Sequence, residues 1–558
     1  MHRLVLACLV ALALCGASCA QQGKVYPDRF VYVSRGLHSD SDVRDIENIV
    51  KTAAAHGLNG MVLAAGLDRL DLQPPDYFKR LEQVKAICQR YNVELIPMIF
   101  SVGYGGSILA HDRNLAAGLP VKDALFVVRK GEARLVPDPP VEIKNGGFER
   151  FAGDRMADFN FHDKPGEVSF ADTRVFHSGR ASLRMESFQP PHGHGRVMQM
   201  VAVHPYRLYR VTVWVKTEGL EPEGAFRVQV YGPHGQIAPW DPRQPATANW
   251  RKVQLLFNSR QYDKVRIYVG VWGAKRGRLW LDDLSIEEVG LVNVLRRPGT
   301  PIVVRSEDGS VVYEEGRDYE PIRYSSPGRP RFTDMGAQAL PIKLTKNSRI
   351  REGQRLRVSF YHGIAINRGQ VTICMSEPKV YQIWEKQVQL IHKLLAPNKY
   401  FFSMDEIRAG GSCAACKARK MTMAQILGDC ITRQAAIVRK VNPKAEIYIW
   451  SDMLDPNHNA HDNYYLVEGD FTGSWNYVPK DLIIVCWYYD KREQSLRFFS
   501  EQGFRTLAGA YYDGDTLDNP KGWLAALDRT PRARGIMYTT WRNKYELLAP
   551  FGDLVSRR

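Results

Sequence analysis

The sequence predicts an α/β protein built on a (β/α)8 TIM barrel, interrupted after its third strand by a β-sandwich and a second small β-rich domain. Three observations predict it. Short apolar runs alternate with amphipathic helical stretches at both ends of the chain, the pattern of parallel βα units. Between those ends the pattern changes to short alternating strands separated by turn residues, which is how a sandwich reads. Adding the strand candidates from the two ends gives a closed set of eight. The chain has 558 residues, more than one ordinary core holds, so two or three domains are expected.

The chain opens on a targeting segment, residues 1–20. Arg3 precedes an apolar run from Leu4 to Leu14, and Ser18-Cys19-Ala20 offers a small-residue cleavage site. The run is too short to span a bilayer, so the expectation is export to a periplasm, a cell surface or the medium. Cys15 and Cys19 are the candidates for a lipid anchor, and no transmembrane stretch is expected elsewhere. Residues 21–138 read as the first barrel part, with strands Phe30 to Arg35, Asn59 to Ala65 and Val93 to Ser101. Helices run between them from Ser41 to His56 and from Tyr77 to Tyr91. Residues 139–289 read as the sandwich and 290–371 as a small β-rich packing domain. Residues 372–558 resume the βα rhythm. Their expected strands are Tyr400 to Met404, Glu446 to Trp450, Leu482 to Trp487, Thr506 to Tyr511 and Gly535 to Trp541. Helices cover Lys379 to Leu395 and Met421 to Val441.

The strand Tyr400 to Met404 is apolar and ends in two carboxylates, Asp405 and Glu406. Side chains alternate along a strand, so these neighbours face different partners. Barrel enzymes place their chemistry at the C-terminal ends of the strands. The other strand ends carry Arg35, Asp68, Trp450 with Asp452, Trp487, Tyr511 with Asp513, and Trp541 followed by Asn543. Aromatic walls with carboxylates and one arginine suit a sugar, which offers CH faces to rings and hydroxyl edges to polar groups.

The formal charge is +16, which favours acidic polysaccharides, nucleic acid or envelope surfaces as partners. Lys and Arg are scattered, without a basic helix or zinc-finger spacing, which argues against nucleic acid. Of the six cysteines beyond the leader, Cys413-Ala-Ala-Cys416 is the one tight pair. It reads as a local disulfide, as part of a metal site with Cys430, or as two ordinary thiols.

Two resemblances go further. Asn145-Gly-Gly-Phe-Glu149, Ser178-Gly-Arg-Ala-Ser-Leu183 and the closing Leu279-Trp-Leu-Asp-Asp-Leu-Ser285 resemble a jelly-roll carbohydrate-binding module. That resemblance implies a structural calcium and sugar platforms, for which Trp240 and Trp250 are candidates. The barrel halves resemble a divergent glycoside hydrolase family 20, the β-N-acetylhexosaminidases. The match rests on Tyr32-Val-Ser-Arg35, the segment Thr372 to Pro378 leading by its helix to Asp405-Glu406, Tyr511-Tyr-Asp513 and Trp541-Arg-Asn543. The chain departs from that family's pattern before the acid pair, where Phe402, Ser403 and Met404 stand, and at Asn543, where the family has Glu. The resemblance implies an exported, exo-acting, retaining hydrolase that removes a terminal β-linked N-acetylhexosamine from an oligosaccharide, polysaccharide or glycoconjugate without a catalytic cofactor. Glu406 is then the general acid, Asp405 orients the 2-acetamido group, Tyr511 bonds that amide, and Arg35 grips sugar hydroxyls. The alternatives are a glycosidase of the same barrel class for a sugar without an acetamido group, and a glycan-binding protein without turnover.

Overall fold

A computed structural model describes residues 24–558 apart from 191, 241, 325–330 and 368. The expected leader, with Cys15 and Cys19, lies outside the described residues. Eight parallel strands close into a barrel in chain order. They are β1 (Asp28–Ser34), β2 (Gly60–Ala64), β3 (Glu94–Ile99), β4 (Lys399–Phe402), β5 (Glu446–Trp450), β6 (Ile483–Cys486), β7 (Arg505–Tyr511) and β8 (Ala533–Thr539). Closure is made where β1 pairs with β8, Asp28 opposite Gly535. Alternate residues fill the interior: Phe30 and Tyr32, Tyr448 and Trp450, Ile483 and Val485, with Val62, Ile96, Phe401, Leu507 and Met537. The other parity faces the helices. The N-terminal end is sealed by polar bonds, Tyr448 and Arg534 both donating to Asp28 at 2.8 and 2.9 Å. The open end is therefore the C-terminal one.

Helices α1 (Asp40–Ala55), α2 (Pro75–Arg90), α3 (Pro378–Leu395), α4 (Met423–Val441), α5 (Arg492–Glu501), α6 (Asp518–Asp528) and α7 (Leu548–Ser556) pack around this barrel. Two start where the sequence signals it. Ser39 with Asp42 and Thr422 with Gln425 form capping boxes at α1 and α4. The expected eight-fold βα repeat is broken once. Between β5 and β6 the described residues contain no α-helix, only the single turns Asp452–Leu454 and Ser474–Asn476 and a two-residue strand, Leu466–Val467. That stretch is rich in Asp, Asn, His and Gly, which favour local side-chain bonds and turns over helix. Its strand pairs with Ala409–Gly410, so the connection folds back beside the loop that carries the acid pair.

The insertion holds two five-stranded antiparallel sheets and a six-stranded sheet. The strand order of the first sandwich sheet runs from Ala248–Asn258 through Leu208–Glu221, Arg276–Glu288 and Ser182–Met185 to Ser169–Asp172. That of the second runs from Gly235–Trp240 through Phe226–Gly232, Lys264–Trp272 and His194–Ala202 to Phe161–His162. The six-stranded sheet corrects an expected boundary. Leu119–Arg129 and Glu132–Leu135, placed in the barrel part by the sequence reading, pair here with Arg355–His362 and Ile342–Lys343. The small β-rich domain is thus assembled from both sides of the sandwich. Physically the reason is register: Phe126, Val128, Leu356 and Val358 alternate inward together and cannot be buried in a barrel that is already closed.

The sandwich and this sheet share one continuous core. Buried Arg207 pairs with Glu288 at 3.0 Å and donates to the Asp123 carbonyl at 3.0 Å. Asn258 donates to the Pro120 carbonyl at 3.0 Å. Removing one side leaves buried polar groups unpaired, at about 1–3 kcal/mol each. A fragment of residues 116–371 is therefore expected to melt in one cooperative transition, and residues 139–289 alone to melt at clearly lower temperature. Circular dichroism of the two fragments checks this; equal midpoints would make the sandwich independent. Among the described residues no helix is long and apolar enough to cross a membrane.

Candidate functional site

The open end of the barrel holds a pocket of about 460 Å³. One wall is a continuous set of rings. Tyr32 lies 5.4 Å from Trp541, Trp541 5.9 Å from Trp450, and Trp450 6.5 Å from Trp487. Tyr512 stacks on Trp487 at 6.2 Å. The opposite wall is polar and carries Asp68, Ser101, Tyr104, Ser403, Asp405 and Glu406.

The acid pair is presented by a bend. Phe401, Ser403 and Asp405 share one parity and point into the barrel, so Asp405 reaches the pocket by simple alternation. Glu406 does not follow it. Its φ of 50° is the left-handed conformation that bulky residues avoid, which turns its side chain back toward the pocket rim. The bend is held at both ends: the Glu406 N–H donates to Asp452 at 2.8 Å, and Gln370 donates to the Glu406 carbonyl at 2.7 Å. Gly103 lets the β3 loop lie against it, since a Cβ there would sit 2.1 Å from the Asp405 carbonyl oxygen.

The two carboxylates have different surroundings. Asp405 accepts from Ser403 Oγ at 2.9 Å. Burial first, then the charges of Asp452 and Glu406, push it up to about 7. Glu406 pairs with the buried Arg408 guanidinium at 2.8 Å and accepts a hydrogen bond from the Tyr104 phenol. Arg408 in turn is fixed by Gln370 and lies 5.0 Å over the Tyr465 ring. Asp452 is fully buried and pushed up to about 7, mainly by burial, although the Glu406 N–H and Asn459 stabilise its charge. Three acids thus crowd one site, and the Arg408 guanidinium pairs with Glu406 among them.

Of the residues expected from sequence, Asp405, Glu406, Asp68, Trp450, Trp487 and Trp541 line the pocket. Asp68 also clamps the backbone N–H groups of Phe100 and Ser101 at 2.9 and 3.0 Å, and burial raises it to about 6. Asp452 sits behind the pocket as a support, accepting from Glu406 and Trp487. Asp513 supports likewise, accepting from the Trp541 N–H at 3.0 Å. Three expectations are corrected. Arg35 has the outward parity and pairs with Asp45 of α1 at 3.5 Å. Tyr511 has φ 80°, which swings its ring out of the barrel to stack on Tyr538 at 4.1 Å. Its neighbour Tyr512 takes the pocket position. Asn543 is exposed beyond the strand end and does not line the pocket. Sequence reading missed Tyr32, Tyr104, Ser403, Tyr512 and Arg408. Parity from Phe30 and Phe401 was a signal for Tyr32 and Ser403; a left-handed backbone has none.

A wider cleft of about 1180 Å³ adjoins the pocket, sharing Tyr104 and Glu406 with it. Its far wall is the second sandwich sheet, through Arg227, Gln229 and Gln236, with Arg69 and Arg331 nearby. Along the same sheet Tyr231, Tyr268 and Phe161 form a row at 5.6 and 6.1 Å spacing. Trp250 lies on the other sheet beside His177. The Trp240 side chain is outside the described atoms. The motif acids of the sandwich have protein partners: Glu149 accepts from the Arg180 N–H at 2.8 Å and Asp283 from Ser178 Oγ at 2.7 Å.

Comparison with known proteins agrees with the sandwich. Residues 142–276 match the family model described as Carbohydrate binding domain. Among solved structures, a family 61 carbohydrate-binding module in complex with β-1,4-galactotriose is similar at 16% identity and TM-score 0.21, over 26% of this chain and 97% of that one. The xylan-binding family 22 module of Paenibacillus barcinonensis Xyn10C is similar at 16% identity and TM-score 0.17, over 23% of this chain and 85% of that one. A family 20 chitobiase of Flavobacterium johnsoniae is similar at 8% identity and TM-score 0.37, over 95% of this chain and 48% of that one. Among curated proteins none matches the sequence.

Asp452→Asn tests the electrostatics. It keeps one acceptor for the Glu406 N–H and removes a negative charge that raises Asp405. The Asp405 carboxylate should then ionise at lower pH. If ionised Asp405 is the active form, the acidic limb of kcat/KM moves down from near pH 7, measured as a pH–rate profile.

Proposed function

We propose that the protein is a glycoside hydrolase that removes a terminal β-linked N-acetylhexosamine from a longer glycan, with retention and with the substrate's own acetamido group as nucleophile. The observation that carries this reading is the position of Glu406, which lines both the ring-walled pocket and the wider cleft. A terminal sugar in the pocket with its chain in the cleft has its glycosidic oxygen at that junction. Glu406 is then the general acid, with Tyr104 bonded to Oε2 and Arg408 to Oε1 holding it in place. Asp405, at the pocket wall, orients the acetamido N–H and balances the charge of the cyclic intermediate. Tyr512 replaces Tyr511 as the tyrosine at the pocket, and the rings of Trp450, Trp487 and Trp541 take the sugar's CH faces. Glycan continuing along the cleft meets the Tyr231–Tyr268–Phe161 row of the sandwich, which takes over the platform role first given to Trp240 and Trp250. Export, and a calcium in the sandwich, complete the proposal.

A second reading has a specific support. Asp405, raised to about 7, suits a proton donor, and Glu406, held by Arg408 at 2.8 Å, is the second carboxylate at the pocket. In that arrangement Glu406 attacks the anomeric carbon of a sugar without an acetamido group.

Glu406→Gln is expected to lower turnover by about a hundredfold or more with a sugar leaving group, and by much less with an activated aryl group that needs little protonation. Steady-state assays on both substrate types check it; equal losses remove Glu406 from the acid role.

For Asp405→Asn the expected outcome is a large loss of kcat with nearly unchanged product binding. The wild type's preference for a thiazoline inhibitor over the free sugar should largely vanish in this variant. A covalent 2-fluoro-sugar adduct on Glu406, found by mass spectrometry, would establish the second reading instead.

A further inference from the structure

We propose that Cys374, Cys413 and Cys416 form a binding site for a zinc-class divalent metal, independent of the glycan site. All three side chains are buried and none is in a disulfide. Their sulfurs form a nearly equilateral triangle with sides of 3.6, 3.7 and 3.6 Å. A disulfide needs about 2.05 Å between sulfurs. Three thiolates on a tetrahedral zinc at about 2.3 Å are separated by about 3.8 Å, the edge of that tetrahedron. The triangle therefore has the size of one face of a thiolate–zinc tetrahedron. Among the described residues it is the single group of three or more metal-competent side chains that converges in this way.

Two further observations point to an occupant. A small space of about 10 Å³ adjoins the sulfurs between Gly118, Gly411 and Met423, the scale of one small ligand at a fourth position. The Arg297 guanidinium, whose Nε is paired with Glu377 at 2.7 Å, places another N–H group 3.6 Å from Cys413 Sγ, which favours a thiolate there. The metal replaces one proton on each of the three thiols, and no redox change is involved. Soft sulfur ligands in tetrahedral array select zinc over calcium or magnesium. Cys430, the partner expected from sequence, belongs instead to the contact of α3 with α4, beside Tyr381.

The site joins two segments far apart in the chain. Cys374 lies where the insertion returns to the barrel, its N–H bonded to the Leu115 carbonyl at 2.8 Å. Cys413 caps, and Cys416 lies in, the short helix Ala414–Ala418 that follows the loop carrying Glu406 and Arg408. A metal here ties that loop to the insertion and so positions the Arg408–Glu406 pair without touching substrate.

The full chain, purified without chelator and analysed by plasma mass spectrometry, should carry one zinc per chain, and Cys430→Ala should keep it. Cys374→Ser and Cys413→Ser should lose it. Refilling the wild type with cobalt alone should give the thiolate charge-transfer and intense visible bands of tetrahedral sulfur coordination. Chelation should lower the melting temperature of wild type but not of Cys413→Ser. If the cysteine variants do not fold, the wild-type cobalt spectrum still decides. A Cys413–Cys416 disulfide in the intact-mass and peptide map, or three free thiols that bind neither zinc nor cobalt, would overturn the site.

Discussion

The site depends on a bend of two residues. Between Ser403 and Ile407 the chain must deliver Asp405 into the barrel and Glu406 to its rim, although neighbouring residues on a strand face opposite sides. A left-handed residue at Glu406 solves the geometry and costs about 1–3 kcal/mol for a non-glycine side chain. The surroundings hold it there: Asp452 takes the Glu406 N–H, Gln370 takes its carbonyl, and Gly103 leaves room for the backbone to pass. Gln370 comes from the end of the insertion and Asp452 from the β5 end, so the bend is held from two separate parts of the chain. The insertion thereby takes part in shaping the acid loop.

The same residues set the charge balance. Asp405 and Asp452 both gain protons more readily than ordinary aspartates, because burial and mutual repulsion disfavour two charges. Arg408 is committed to Glu406 rather than to either aspartate. Stability follows from this with a definite sign. A carboxyl whose folded pKa is raised favours the folded state below the unfolded value near 4, and that advantage is lost as pH rises toward about 7. A site that holds such a cluster at neutral pH does so against its own electrostatics, which is the usual mark of a group kept for chemistry rather than for folding.

Much of this was legible in the sequence. Strand β5 has the bounds expected for it, and all eight barrel strands fall within the apolar runs expected for them or overlap them. The parity of those strands also carried information. Counting from Phe30 puts Tyr32 inside and Arg35 outside, and counting from Ile483 puts Trp487 inside. What alternation cannot supply is the conformation after a strand ends. Tyr511, Tyr512 and Asp513 have φ of 80°, 58° and 61°, and three left-handed residues in a row reverse which tyrosine meets the pocket. Nor does sequence spacing join Cys374 to Cys413 or Leu119–Leu135 to Arg355–His362; those pairings are set by tertiary register.

The arrangement of the insertion explains why a barrel with one helix replaced still makes an ordered cleft. The β5–β6 connection gives up its helix and instead pairs Leu466–Val467 with Ala409–Gly410, next to the acid loop. That frees the rim on this side, and the sandwich fills it: Arg260 donates to the Tyr465 carbonyl at 2.8 Å, and Tyr465 lies under Arg408. The chain of contacts runs from the sandwich through Tyr465 and Arg408 to Glu406. Any shift of the sandwich relative to the barrel is therefore felt at the carboxylate that faces both pocket and cleft. A module tethered by a flexible linker would raise local substrate concentration and nothing more. Built into the barrel between β3 and α3, the sandwich also fixes the geometry of the cleft that it walls.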